Sequence, residues 1–493
     1  AGKSWQASWV RDNTGLEVQR TFSGGVTVST ERDGFGREVR KSVRVGGIER
    51  GAYRYEWGIT NRLLSKENEL TGTVMRYDYD RFDFLIRQET IQGSETDVIY
   101  RMPDFVGNLF ETPDKKDRKY GAGGKLLEDP DCFYHYDNEG NLVFREFKEL
   151  RGSDIRYDRK RMKKERGISF LATGTGWNYK WNSNGTLKKV IRPDGRPVEF
   201  QYDALGRRTS KQYFGKKTRW IWNGNVPLHE WSYKVTDEQS NEEENIQKEP
   251  TEDIITWVFE VGTLIPTAKM LDSKQHSIVS DHLGTPIQMY DEQGNKIWDC
   301  ILNIYGKVTS FKGSSLGDCP FRFQGQYEDE ETELYYNRFR YYSPNLGNYV
   351  SQDPIEFAGN NPTFYGYVYD TNSGLDLFGL NIVTVYHYTS KKSYNKISSQ
   401  SPYVFKASIP KKGNPKGVYV TTKSPEILAK NNNGYKKLGL TGNKSSHFFE
   451  IQIDDSKLKS LNGDRGQFIK YIDGDVEIDR SSVTRHGETP KIH

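Results

Sequence analysis

Cysteine is almost missing from this chain, which has only Cys132, Cys300 and Cys319 in 493 residues. The count is odd and the spacing is not that of a thiolate metal site, so neither a disulfide framework nor a zinc cluster underlies the fold. No run of eighteen apolar residues exists and mean hydropathy is −0.82, so no segment reads as a spanning helix and no stable membrane insertion is expected. Ala1 opens in polar sequence without a signal-type apolar segment, and so abrupt a start fits a piece of something longer. What the chain does have is 31 Tyr, 47 Gly and 13% aromatic residues. That mixture suits many short strands joined by tight turns rather than helices, in two to four domains by length.

The turns recur on one plan. FSGGVTVSTERDGFGREVRKS (22–42), RYDYDRFDFLIRQE (76–89), FYHYDNEGNLVFRE (133–146), the stretch 177–213 containing YDALGRR, and IWNGNVPLHEW (221–231) each run an alternating aromatic strand into Asp or Asn. The chain then turns, commonly through Gly, and a second alternating strand leaves. These aspartates are isolated, with no His or second carboxylate at fixed spacing, so they read as turn formers. His282 in SDHLGTP likewise lacks a ligand set and reads as structural. The charged tract 237–253 reads as an exposed insertion loop, with an acidic binding site as the competing reading.

The composition changes after Leu380. Residues 381–493 carry 19 Lys/Arg and 10 Asp/Glu, a net of +9, which leaves −5 for residues 1–380. Such opposite charges favour association if one part encloses the other, although two unrelated solvated surfaces would give the same sums. Just before the boundary, Asp353 in SQDPI and Asp376 in DLFGL flank the turn-rich NNPTFYGYVYD. Two carboxylates sharing a proton can activate water and protonate a leaving amide. By spacing alone, Asp-Pro is ordinarily just a turn.

The stretch Pro320–Leu380, with FRFQGQYEDEET, YYNRFRYYSP, SQDPI and DLFGL, resembles the end of the core of Rhs/YD-repeat proteins, the shells of bacterial polymorphic toxins and of the C component of insecticidal Tc toxins. SDHLGTP (280–286), DEQGNKIW (291–298) and YDALGRR (202–208) extend the likeness over most of residues 1–380. It implies a mainly β fold: a hairpin ribbon coiled into a cocoon, with residues 1–319 as shell, 320–380 as core end and 381–493 as an enclosed α+β domain. It also implies self-cleavage between Leu380 and Asn381 by Asp353 and Asp376, with Arg338 and Arg340 as positive groups able to hold one carboxylate ionised. Leu377, Glu333 and Asn348 depart from the residues usual there, which are Pro, Gly and Arg.

After the boundary, NIVTVYHYTSKKSYNKISS reads as a strand and a helix capped by Thr389 or Ser390, with Tyr394 and Ile397 inward. GVYVTT (417–422), 446–453, 466–472 and about 475–478 read as strands, the last two joined through Asp473-Gly474, and a helix starts at Ser424-Pro425. VYHYTS with its helix, followed by GVYVTT, resembles the small toxin ADP-ribosyltransferases with a His-Tyr-Asp signature. That resemblance implies NAD as substrate, held by His387, Thr389 and Tyr419. His387 would grip the nicotinamide ribose, Tyr388 would support the strand, and the Tyr419 ring would stack on nicotinamide. The carboxylate that stabilises the ribose oxocarbenium ion would be Asp473, Asp475 or Glu477, which share one face if 473–477 is extended. Lys406, Lys411, Lys412 and Lys416 would grip the diphosphate or steer the domain to an acidic target, or else form an ordinary solvated loop. No metal is expected.

The partners implied are a protein or nucleic acid acceptor in the target-cell cytoplasm, a cognate immunity protein, delivery machinery and further shell upstream. Two other readings stand beside this one. A nuclease would use the positive charge with His447, His486 and Lys470, and a noncatalytic adhesive terminus would use none of these.

Overall fold

A computed structural model describes residues 5–13, 15–151, 160, 164, 175–235, 249–272, 274–354, 363–380, 382–408, 415–421, 423–425, 428, 435, 440, 442–454, 458–460, 469–478 and 480–489. Asn381, Lys411, Lys412 and most of the tract 237–253 lie outside them.

Strands from Ala7 to Tyr100 form a nine-stranded antiparallel sheet, and strands from Lys119 to Gly313 form a sixteen-stranded one. In both, order in space follows order in sequence. The reason is visible in the recurring Asp-Gly turns. At Asp203 the carboxylate accepts the N–H groups of Leu205 (2.9 Å) and Arg207 (2.8 Å), while Gly206, at φ 74°, donates its own N–H to the Asp203 carbonyl (2.9 Å). Asp33, Asp281 and Asp291 repeat this arrangement, so the recurring Asp caps its own turn and the Gly three residues on supplies the left-handed conformation.

Alternation buries one face of the ribbon. Tyr53, Tyr55 and Tyr77 of the first sheet pack with Ile287, Tyr290 and Tyr305 of the second, which ties the two together. Trp177, Tyr179 and Val198 pack against Tyr336, Tyr341 and Val350. These last belong to the core-end segment, whose strands Tyr327–Asp329, Leu334–Asn337, Arg340–Ser343 and Asn348–Tyr349 form a separate four-stranded meander. His282 is structural as expected: its ring sits edge-on to Tyr55 and Trp57, and Nε2 bonds the Asn372 carbonyl at 2.9 Å. The three cysteines are buried free thiols.

A new sheet begins at Ile382. Its six strands lie in the order Lys459–Ser460, Ile469–Asp473, Gly417–Thr421, Ile382–Thr389, His447–Asp454, Val483–Glu488. Helix Lys391–Ser398 buries Tyr394 and Ile397 as its spacing requires, and its N-cap is Ser390, whose hydroxyl accepts the Ser393 N–H, rather than Thr389. Ile469–Asp473 and Val476–Ile478, joined through Gly474, do not pair with each other. Gly474, at φ 71°, redirects the chain so that Val476–Ile478 pairs with Tyr403–Phe405 in a second, two-stranded sheet.

Candidate functional site

The core end closes on DLFGL, residues 376–380, which is built like a shell turn. The Leu380 N–H donates to Asp376 Oδ1 at 2.9 Å and Gly379 has φ 66°, matching Arg207, Asp203 and Gly206. What differs is burial, for the Asp376 side chain is 1% exposed. Two glycines make the close approach feasible. A Cβ on Gly379 would lie 2.4 Å from the Asn337 carbonyl oxygen, and one on Gly325, in the FRFQGQY motif, 2.5 Å from that of Leu377.

The meander brings Asp353 to the same place. Arg340 Nη2 lies 2.9 Å from Asp353 Oδ2 and 3.4 Å from Asp376 Oδ2, with the side chains of Arg340 and Asp353 fully buried. The guanidinium also donates to the carbonyls of Gly379 and Phe364 and lies 3.7 Å from the centre of the Tyr349 ring. The Tyr349 hydroxyl donates to Asp376 Oδ2 at 2.7 Å. Burial raises the Asp376 carboxyl to about 6, against the opposing pull of Arg340, the Tyr349 hydroxyl and the Leu380 N–H.

Of the two arginines offered for holding a carboxylate ionised, Arg340 reaches the pair and Arg338 does not. It occupies the hairpin tip at φ 58° and donates to the Leu205 carbonyl at 2.9 Å, whereas Arg340 starts the buried strand. The three departures also have places. Leu377 packs with Leu264 and Leu375. Glu333 adopts the left-handed φ of 59° that suits a glycine and pairs with Arg145 at 2.8 Å. Asn348 is a buried strand residue opposite Ser343.

In the terminal region, strand alternation sorts the HYT element. His387 shares a face with Val385 and Thr389. Its ring meets Phe405 edge-on at 5.1 Å, and Nδ1 bonds the Tyr419 carbonyl at 2.9 Å. A ring nitrogen facing a carbonyl carries the proton, which leaves Nε2 as an acceptor, and burial lowers the His387 pKa against that bond. Tyr388 points the other way, against Tyr435 and Phe448, and donates to the Lys423 carbonyl at 2.9 Å.

Tyr419 meets His387 through its backbone, not its ring. Val418 and Val420 face the core that contains Val385, so the Tyr419 ring lies on the opposite side of the sheet, 6.0 Å from Tyr471, with its hydroxyl on the Pro415 carbonyl. Stacking on a ligand held by the His387 ring is therefore corrected by the period of two. The acidic trio is also dispersed by the Gly474 turn. Asp473 pairs with Lys459, Asp475 with Lys406 (2.8 Å) and the Ala407 N–H, and Glu477 is exposed opposite Val404. None of the three shares an interaction with His387 among those described.

Two groups escaped the sequence reading. Glu450 is a buried carboxylate opposite Tyr386 in register and 2.8 Å from Arg485; EIQID reads as plain strand, with nothing to mark its Glu as internal. On the His387 side, Tyr394 donates or accepts at His486 Nδ1 (2.7 Å) and the Tyr403 hydroxyl lies 3.4 Å from Nε2. Tyr403, Arg480 and His486 share a cavity of about 250 Å³ with Arg11, Arg32 and Glu260 of the long ribbon. A Cβ on Gly262 of the ribbon would lie 3.2 Å from Arg480 Cβ, so the two regions touch here. His447 and His486 both pack on the Tyr394 ring, while Lys470 sits on another strand opposite Val420; among the described residues no group of three His, Cys, Asp or Glu able to hold a metal occurs.

A long antiparallel ribbon sealed by a Tyr-rich meander, followed by a small α+β region with its own sheet, defines a β-shell protein carrying a separate terminal unit. The chain belongs to the Teneurin YD-shell family, which its residues 10–373 match. Residues 385–481 match the family described as HYD1 signature containing ADP-ribosyltransferase. Curated relatives include "Probable deoxyribonuclease RhsB" of Dickeya dadantii, 29% identical over 75% of this chain and 24% of its own length. Others are "Double-stranded DNA deaminase toxin A" of Burkholderia cenocepacia (27%; 76% and 26%) and "Toxin protein Tse5" of Pseudomonas aeruginosa (26%; 74% and 32%). The chain thus spans about a quarter to a third of the length of these relatives. The solved "TcdB2-TccC3-TEV" structure aligns with a TM-score of 0.39 at 16% identity, over 76% of this chain and 21% of that one. The protein is accordingly a YD-shell chain with an ADP-ribosyltransferase-like region after it.

Proposed function

We propose that this chain is part of a delivered bacterial toxin whose shell, residues 1–380, encloses an NAD-dependent ADP-ribosyltransferase, residues 381–493, and cuts the link after Leu380. The match of residues 385–481 to the transferase family, with His387 on the strand that carries the signature, supports the transfer activity.

In that reaction the bond between nicotinamide and ribose breaks toward an oxocarbenium ion, and an acceptor group on a target-cell macromolecule takes the ribose carbon. His387 suits the task of holding a ribose hydroxyl. Its Nδ1 is committed to the Tyr419 carbonyl and its neutral Nε2 accepts. The balancing negative charge comes from the 473–477 segment, since Glu450 lies across the sheet from His387 and is paired with Arg485, with Lys406 and Lys416 near the surface available to the diphosphate. The acceptor is a protein or nucleic acid of the target-cell cytoplasm, and the producing cell needs an immunity protein and a delivery apparatus.

For the cut, the two buried carboxylates on Arg340 support an aspartyl-type hydrolysis. One takes a proton from water as its oxygen attacks the Leu380 carbonyl carbon. The other protonates the Asn381 nitrogen as the C–N bond breaks, leaving a Leu380 carboxylate and a free Asn381 amine. The test of the transferase is to incubate residues 381–493 with labelled NAD and target-cell lysate and to separate protein from nucleic acid. Label in either fraction with wild type but not H387A supports transfer. No label, together with metal-dependent degradation of DNA or RNA, selects a nuclease.

A further inference from the structure

The Asn337 side chain donates from Nδ2 to the Tyr349 oxygen at 2.7 Å and to the Asp376 carbonyl at 2.9 Å. An amide NH₂ only donates, so the Tyr349 oxygen must accept this bond and its single proton is forced onto Asp376 Oδ2, 2.7 Å away. The Leu380 N–H occupies the other carboxylate oxygen. Asn337, Tyr349 and Asp376 are buried, and the Tyr349 ring is pinned by the guanidinium of Arg340 on its face and by the Tyr342 and Tyr367 rings. A tyrosine fixed by three neighbours, with its hydroxyl direction dictated by a fourth, has little freedom to do anything except aim one proton at one carboxylate oxygen.

We infer that Tyr349, oriented by Asn337, is a positioning residue for self-cleavage, holding Asp376 in its ionised form with the carboxylate plane fixed against the Leu380 peptide. This rests on the proposal that Asp353 and Asp376 cut the chain after Leu380. The hydroxyl transfers no proton in the reaction. Asp376 performs its proton step with the remaining lone pair, and the hydrogen bond from Tyr349 sets the pH at which that step is available.

Among the described residues, the charged and titratable groups around Asp376 are Arg340, Asp353 and the hydroxyls of Tyr349 and Tyr367. Of the two hydroxyls, the Tyr349 one donates to the carboxylate, while that of Tyr367 faces the Asp376 N–H at 3.5 Å. Removing a bond donated to the charged form raises the carboxyl pKa, so the Y349F enzyme requires a higher pH for the same ionisation.

The experiment uses the full chain, labelled by cell-free synthesis, exchanged rapidly into buffers from pH 5 to 9, with the fraction cut followed on denaturing gels. Wild type, Y349F, N337A and D353N are compared, with protease resistance as the check on folding. Y349F keeps the ring under Arg340 and removes one oxygen. It is expected to cut more slowly, with the midpoint of its pH–rate profile displaced upward by about one unit. N337A is expected to displace the midpoint in the same direction by less. Unchanged midpoints in variants that remain folded overturn the assignment while leaving the carboxylate pair in place. A wild-type chain that stays uncut removes the self-cleavage proposal and this inference with it, and Y349F misfolding passes the decision to N337A.

Discussion

Asp353 and Asp376, on opposite flanks of a turn-rich segment, converge on a single guanidinium nitrogen of Arg340. Two buried carboxylates on one cation leave one negative charge in excess, and that excess marks the junction as more than packing. Wild type is expected to yield a fragment of 113 residues, 381–493, with Asn381 at its N-terminus by sequencing. D353N and D376N should stay uncut. R340Q strands both carboxylates without a cation and should lose about 3–5 kcal/mol of stability as well as the cut, read by denaturant titration.

Gly379→Ala should abolish the cut without touching a carboxylate. The new Cβ meets backbone oxygen rather than a side chain that can swing away, at a positive φ that alanine resists. A cost of more than about 1 kcal/mol and a displaced Leu380 are expected. Efficient cutting by this variant would show that the turn geometry is dispensable.

In the terminal region, H387A and Y419F should part company. H387A is expected to lower label transfer from NAD at least tenfold, about 1.4 kcal/mol of transition-state binding, with the fold retained by circular dichroism. Y419F removes only a hydroxyl bound to the Pro415 carbonyl on the far side of the sheet and should stay within twofold of wild type.

Glu450→Gln and Asp475→Asn should differ in the same assay. Glu450 is buried against Arg485, so its amide leaves a buried cation without its counter-charge, and both melting temperature and transfer should fall. Asp475 is exposed, with a carboxyl lowered by the hydrogen bond from Lys406, and its amide should leave the melting temperature unchanged.

His486 should make the docking of the terminal region acid-sensitive. Burial, then Arg11, Arg32 and Arg480, lower its pKa to about 4, with Asp12 opposing. The unfolded chain titrates its histidines near 6.5 and so binds more protons than the folded one between about 6.5 and 4. The stability this residue contributes is full above about 6.5 and is lost as pH falls toward 4, on the order of 2 kcal/mol. Thermal melts across that range should show the slope in wild type and a shallower one in H486Q.

The turn chemistry was legible in the chain because it is local. An Asp followed by Gly three residues on closes its own hydrogen bonds whatever surrounds it, and the same rule shapes DLFGL at the junction. The strand and helix after Asn381 were legible for the same reason. Pattern could not tell Arg338 from Arg340, since one residue's difference between a hairpin tip and a buried strand is set by the pairing of Leu334–Asn337 with Arg340–Ser343.

By itself, then, the sequence determined the β ribbon, its capped turns and the change of character after Leu380, all consequences of contacts within a few residues. Tertiary structure alone decided that Asp353 and Asp376 meet on Arg340, that Glu450 is an internal charge, that the Tyr419 ring faces away from His387, and that Asp473, Asp475 and Glu477 disperse. Those outcomes depend on which strands become neighbours and which face of each is covered. A period of two shows that alternate residues part, but only the packed sheets determine what each side meets.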